Sequence, residues 1–341
     1  MALLVFGTHD ARRAHVAVMR MVATVNGSRP FEGDTAELVR KFAALQGCPR
    51  CHGFDKALDF SDILNGSPPW DHPKRAVDLL KQQLKTAKDR EEAVHAGLLV
   101  AMFGDNQDPE ALHVAHAIAR DLGVDDDILD GVVRIANDNA ASAKADLFRR
   151  FLSERIAVDS DLIKNHMERH DLASLSRPEL IAHYHQLMAA APAGSLGAEM
   201  RAFYRDASFP VPGMPGSPLP VEFLGSHDVH HVLAGYDISP QGEVYTAVFN
   251  AGNTRAGIGW LSVVLLQWHQ GVKLGVFDPV HSHLDPAIMA RAAERGAQTK
   301  INIYDAQWDW MSLLAEPLDE VRRSLSIPPG GLVGPGQKWA T

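Results

Sequence analysis

Positive charge is in short supply in this chain: 33 lysines and arginines stand against 42 aspartates and glutamates, a formal charge of -9. A nucleic-acid partner needs a basic face, and no Lys/Arg cluster supplies one, so that partner is excluded. Long apolar runs are missing as well. The nearest, Ala256 to Phe277, passes thirteen residues before His269 and Lys273 break it, short of the roughly 18–20 needed to cross a bilayer. The opening MALLVFGTHDARR has an apolar run of only five residues with no basic residue ahead of it. That is not a secretory signal, and the expected location is the cytoplasm.

Cysteine is scarce too, with Cys48 and Cys51 the only two. In CPRCH, residues 48–52, they match a c-type haem attachment pattern, but that chemistry belongs outside the cytoplasm. A zinc site here would need His52 and a further histidine or carboxylate. A reducing cytoplasm keeps the pair as thiols, and a structural or incidental role is the reading adopted.

Strand signals are the third absence: no sustained alternation of β-branched residues precedes residue 227. Apolar residues recur instead at three and four, from His15, Thr35, Lys74, Glu91 and Pro109 onward. Asp34, Asp108 and Pro109 supply starts, and Gly47, Gly104 and Gly123 supply stops. At 341 residues and 46% hydrophobic, the chain is long enough for two cores. The expected class is all-α, with a helical bundle over 1–160 and a mostly helical metal-binding domain over 161–341. Phe209 to Pro220 holds five prolines in twelve residues and is expected to be an ordered excursion without regular structure.

Function concentrates in HDVHHVLAGYDISPQGE, His227 to Glu243. At about 100° per helical residue, His227, Asp228 and His231 share one face. Gly235 offers a stop, Ser239 and Pro240 a restart, and Glu243 falls in the first turn of the next helix. Two short helices and a tight turn can bring Glu243 back against that face. Two imidazoles and two carboxylates suit a divalent zinc, iron or manganese ion. His230, inside the pattern, is expected beside the ligands or at the surface. His281 and His283 are a candidate second pair, read rather as part of a loop before a helix.

Written as His-Asp, two residues, His, eleven residues, Glu, the stretch resembles the signature of the ubiquinone (coenzyme Q) biosynthesis family known as the fourth Coq protein. The likeness extends to PAGSLGAEMRAFYRDASFPVPG, residues 192–213, and to RGAQTKINIYDAQWDWMSLLAEPLDEVRRSLSIPP, residues 295–329, covering about residues 185–330. One departure is Asn250, where the family commonly carries a second acidic residue. The resemblance implies that His227, Asp228, His231 and Glu243 hold one divalent metal ion. It also implies oxidative decarboxylation of a polyprenylated hydroxybenzoate, hydroxyl replacing the ring carboxylate, with other quinone-biosynthesis proteins as partners. Peripheral contact with the inner face of the membrane and a homodimer are compatible with it.

Three alternatives stay open beside this reading. A metal-stabilised scaffold could carry a prenylated intermediate between enzymes without catalysis. A phosphohydrolase of the HD type would need more His-Asp pairs than the isolated His9-Asp10 and His170-Asp171. Within residues 256–277, Trp260, Leu261, Val264, Leu265 and Trp268 are either one side of a buried helix or a greasy face for a membrane or isoprenoid tail. In the first half, MRMVATVNGSRPFEGDTAELVRKFAALQG is echoed by LLVAMFGDNQDPEALHVAHAIARDLG, and the whole is similar to the tellurite-resistance TerB-like helical fold. A loop cation on Asp105 and Asp108 is the alternative there to a capped turn.

Overall fold

The computed structural model describes residues 8–45, 58–104, 108–136, 140–273 and 278–339. The CPRCH segment, Asp105 and Gly47 lie outside them. Sixteen α-helices are described, and no strand among the described residues; one isolated bridge joins Ser195 and Pro317. The all-α expectation holds.

In order the helices are α1 (His9–Ala23), α2 (Gly33–Ala44), α3 (Ser61–Leu64), α4 (Pro73–Gln83), α5 (Ala87–Phe103), α6 (Pro109–Leu122), α7 (Asp127–Ala136) and α8 (Ala140–Ile156). They continue as α9 (Ser160–Arg169), α10 (Pro178–Ala190), α11 (Leu196–Ala207), α12 (Val221–Ala234), α13 (Pro240–Asn253), α14 (Ala256–Trp268), α15 (Pro286–Gln298) and α16 (Leu318–Ser324). Two compact units emerge: Met1–Leu147 with Ala247–Ala297, and Phe148–Thr246 with Gln298–Thr341. They differ from the contiguous 1–160 and 161–341 division, because residues 247–297 cluster with the N-terminal helices and the division falls inside α8 and α13.

In the first unit α5 is the central helix. Its residues from Glu92 to Phe103 are all buried, so it has no polar face to give away its orientation. A capping box between Thr86 and Asp89 starts it, and α1, α2, α6 and α14 pack around it. Asp108 caps α6 by accepting the N–H groups of Glu110 and Ala111, Pro109 takes the first helical position, and Gly123 ends the helix at φ 67°. Asp108 also pairs with Arg29, so the capped turn accounts for it. The apolar run after Ala256 forms α14, whose residues from Gly257 to Gln267 are buried, and which packs on α5 and α7. It is a core helix. No described helix is long and apolar enough to cross a membrane.

In the second unit α11 is the hub, packing on α10, α12 and α16 and burying Leu196, Met200, Phe203 and Tyr204. The proline-rich excursion delivers the chain to Pro220, and Ser176 Oγ then accepts the Val221 N–H to start α12. Gly225 leaves room for Trp310, whose ring would lie 2.8 Å from a Cβ there. At the far end of α12, Arg322 donates to the carbonyls of Val232 and Leu233, which no helical N–H can reach. Gly235, at φ 74°, closes the helix, and the N–H groups of Leu332 and Val333 donate to its carbonyl.

The crossing of α1 and α5 sets a test of core packing. A Cβ on Gly97 would stand 3.0 Å from Val18 and 3.2 Å from Val22, both fully buried. Alanine there gains up to about 1 kcal/mol of helix propensity against that crowding, whereas a larger side chain overpacks the core at a cost of about 1–3 kcal/mol. Gly97→Leu is expected to lower the denaturation midpoint accordingly while Gly97→Ala stays near wild type, as followed by circular dichroism.

Candidate metal centre

A buried helix, a left-handed turn and the start of the next helix build the site. His227 and His231 stand one turn apart on α12, and both are buried. Gly235 reverses the chain, Asp237 Oδ1 accepts the N–H and hydroxyl of Ser239, and Ser239 Oγ accepts the Gly242 N–H at the head of α13. Glu243 then lies in the first turn of α13, where free N–H groups and the helix dipole favour a carboxylate. The stop, the restart and the return of Glu243 are those expected from the sequence.

Three ligand atoms converge. His227 Nε2 and His231 Nε2 are 3.1 Å apart, and Glu243 Oε2 is 3.4 Å from each. For metal–ligand bonds of about 2.1 Å, such separations correspond to angles of roughly 95–110° at an ion. Tautomer chemistry points the same way. His231 Nδ1 lies 3.1 Å from the Tyr236 carbonyl and 3.0 Å from that of Asp237, so it donates its proton there and turns the Nε2 lone pair inward. Phe223 stacks on His227 at 6.0 Å, and Phe203 packs on His231 at 5.6 Å. The rings are held in place by apolar neighbours.

The electrostatics match a cation-seeking pocket. Burial would raise the Glu243 carboxyl, but His231 and His227 overcome it and hold the group well below the usual carboxylate range. Burial would lower the His231 imidazole, yet Glu243, Asp228 and the Tyr236 carbonyl together outweigh it and the net direction is upward. Asp228 is different: burial pushes its carboxyl up to about 8, with the Tyr204 hydrogen bond and His231 opposing and Glu243 adding to the rise.

Of the four ligands expected, the structure brings His227, His231 and Glu243 together within 4.8 Å of one another, and Asp228 is not in that group. Its Oδ2 accepts the Tyr204 hydroxyl at 2.8 Å instead. His230 is neither a ligand nor at the surface. It is fully buried, its Nε2 lies 3.1 Å from the Ile303 carbonyl, and it stacks on Tyr304 and Trp308. His281 and His283 sit in the irregular segment before α15, and His283 is 82% exposed with Asp34 at 3.8 Å. Asn250 is buried in the first unit. Trp260, Leu261, Val264 and Leu265 are also buried there, with Trp268 half-buried, so they act as core rather than as an open greasy face. Tyr184 and Tyr204, which the sequence reading missed, were legible only as apolar positions of α10 and α11.

A second group, Glu91, His95 and Asp126, also falls within 4.8 Å. It already holds a cation. Arg255 pairs with Glu91, with Asp126 at 3.2 Å and with Asp127 at 3.5 Å, while His95 Nε2 lies 2.7 Å from Asp126. A guanidinium in place makes this an ion-pair cluster, whereas no lysine or arginine is paired with Glu243 among the described contacts. In comparisons with known proteins, no family model, no curated protein and no solved structure matches the chain. The site's own chemistry therefore has to carry the functional reading.

Two tests follow from these geometries. A Cβ on Gly242 would lie 2.2 Å from the same Asp237 carbonyl that receives the His231 proton. Disturbing a partner of this kind typically costs 10–100-fold in metal affinity. Gly242→Ala is expected to lose roughly that much, and His227→Ala, His231→Ala and Glu243→Ala to lose the ion on elemental analysis. Metal retained at wild-type level in all four rejects the centre. The second test concerns Asp126: burial would raise its carboxyl, but His95, Leu129 N–H and Arg255 hold it at about 2. Because the folded value lies below the unfolded one, its contribution is complete above about pH 4 and is lost as pH falls toward 2. Asp126→Asn is expected to flatten the stability profile over that window in urea melts.

Proposed function

We propose that the chain is a metal-dependent enzyme of ubiquinone biosynthesis that replaces the ring carboxylate of a polyprenylated hydroxybenzoate with a hydroxyl. The observation that carries this reading is the convergence of His227, His231 and Glu243 at the family's motif spacing, with only nitrogen and oxygen donors. A thiolate-free set of this kind suits iron or manganese as well as zinc, and the first two accept more ligands than the chain supplies. When bound, the ion supplies a positive charge that polarises a carboxylate or phenolate and, if redox-active, a route to dioxygen.

The chain's own residues do the rest. His231 is oriented by the Tyr236 and Asp237 carbonyls, and Glu243 brings one negative charge to the start of α13. Phe223 stacks on the His227 ring and Phe203 packs against that of His231, fixing their orientation. Loss of the ring carboxylate as carbon dioxide with gain of a hydroxyl removes two electrons from the substrate. With no flavin or nicotinamide fingerprint in the sequence, dioxygen takes the two electrons and leaves as hydrogen peroxide, while water supplies the hydroxyl oxygen.

The competing reading is a metal-stapled scaffold that binds the prenylated intermediate without reacting. The two part on metal exchange. In a scaffold any divalent ion that restores the fold restores function; in the enzyme, zinc restores the fold and leaves oxidation dead. Metal-stripped protein is loaded separately with zinc, manganese and iron, and melting temperature and release of the ring carboxylate are followed together. The expected outcome is a stabilised fold with all three and turnover with a redox-active ion only. Substrate binding without turnover under every metal replaces the enzyme with the scaffold.

A further inference from the structure

The family resemblance counts Asp228 among the ligands, and the geometry sets it apart. Atoms bound to one ion at about 2.1 Å lie no more than about 4.2 Å from each other. His227, His231 and Glu243 meet that limit at 3.1 and 3.4 Å, while Asp228 fails to join them even at 4.8 Å. What holds it elsewhere is a buried chain of hydroxyls. Tyr204 donates to Asp228 Oδ2 at 2.8 Å, and the Tyr184 hydroxyl lies 3.0 Å from that of Tyr204.

Neither tyrosine is free to swing away. Tyr184 is fully buried and meets Trp310 edge-on at 5.4 Å; Tyr204 is 4% exposed and meets Phe203 edge-on at 5.5 Å. Turning Asp228 onto an ion would break a 2.8 Å hydrogen bond made inside the protein, where the low dielectric strengthens it relative to a surface bond. Removing the Tyr204 hydroxyl, by contrast, would leave the carboxylate with a strong reason to turn.

We propose that Asp228 is a positioning residue outside the coordination sphere, kept there by Tyr204 with Tyr184 behind it, so that the ion has three protein ligands. This rests on the reading of His227, His231 and Glu243 as a metal centre. Two histidines and one carboxylate with open positions are the set used by non-haem iron enzymes that activate dioxygen. Tyr204 thus decides whether the centre is open or closed. With the hydroxyl present, substrate and oxidant find vacant positions; without it, a fourth protein ligand fills one of them.

Cobalt(II) tests this on the full chain, because its visible absorption responds to ligand number and type. Metal-stripped wild type, Asp228→Asn, Tyr204→Phe, the double variant and Glu243→Gln are titrated with cobalt(II), reading affinity and spectrum. Asp228→Asn keeps an oxygen for the Tyr204 hydroxyl, and it is expected to bind cobalt as tightly as wild type with the same spectrum. Glu243→Gln is expected to lose at least about 100-fold, beyond the 10–100-fold typical of disturbed ligand partners. Tyr204→Phe is expected to bind more tightly with a shifted spectrum, and adding Asp228→Asn to return the wild-type spectrum. An Asp228→Asn variant that weakens as much as Glu243→Gln, or whose spectrum departs from wild type, overturns the proposal while leaving the centre intact. A Tyr204→Phe spectrum identical to wild type overturns the role of Tyr204. Wild type that binds no cobalt removes the centre and the proposal together.

Discussion

Two imidazole nitrogens face each other at 3.1 Å, a separation bridged either by a proton on one ring or by a bound cation. The surroundings make His231 Nε2 the electron-rich partner in that contact, because its neutral-state proton goes to the carbonyls of Tyr236 and Asp237. Much of the second unit serves this arrangement. The helical spacing of α12 aligns the rings, the left-handed Gly235 turns the chain, and Asp237 presents its carbonyl because residue 242 has no side chain. Glu243 adds the opposite charge at the one end of α13 that welcomes it. A pocket so assembled has negative and electron-rich atoms on three sides, and among the described residues no lysine or arginine is paired with Glu243.

The contrast with the first unit sharpens the point. Glu91, His95 and Asp126 offer similar atoms at similar distances, yet Arg255 lies among them and satisfies the charge. Spacing of ligand-type residues says where a cation would go. Only the neighbours say whether the protein has supplied one of its own.

The helices and their ends were legible because they depend on local chemistry: Asp108 with Pro109, Gly123, Gly235, and Ser239 with Pro240 act where they stand in the chain. The ligand trio was legible for the same reason, being four, twelve and sixteen residues apart across one turn. Asp228 looks like an equal of His227 in a spacing argument because neighbouring residues on a helix look alike there, and its bond to Tyr204 does not show. Its fate is decided by Tyr204, 24 residues earlier on another helix. That His230 is buried rather than at the surface was not legible, because its partners come from residues 303–308. The run from Ala256 to Trp268 was ambiguous because a helix buried on all sides and one facing lipid carry the same residues, and only α5 and α7 separate them. The two-unit division is likewise invisible to composition, since residues 247–297 are as helical and apolar as what precedes them.

The clasp at the end of α12 has a consequence for the order of events in synthesis. Arg322 holds the last carbonyls of that helix, and Leu332 and Val333 hold Gly235, the residue that launches the turn behind His231. A ribosome delivers Glu243, the last of the three donor residues, 79 residues before Arg322. The growing chain therefore owns the donor atoms well before it owns the frame that keeps them pointed inward. Any ion held by these residues would be firmly retained only by the finished polypeptide, and loss of a short stretch near residue 322 would reach the trio without touching His227, His231 or Glu243.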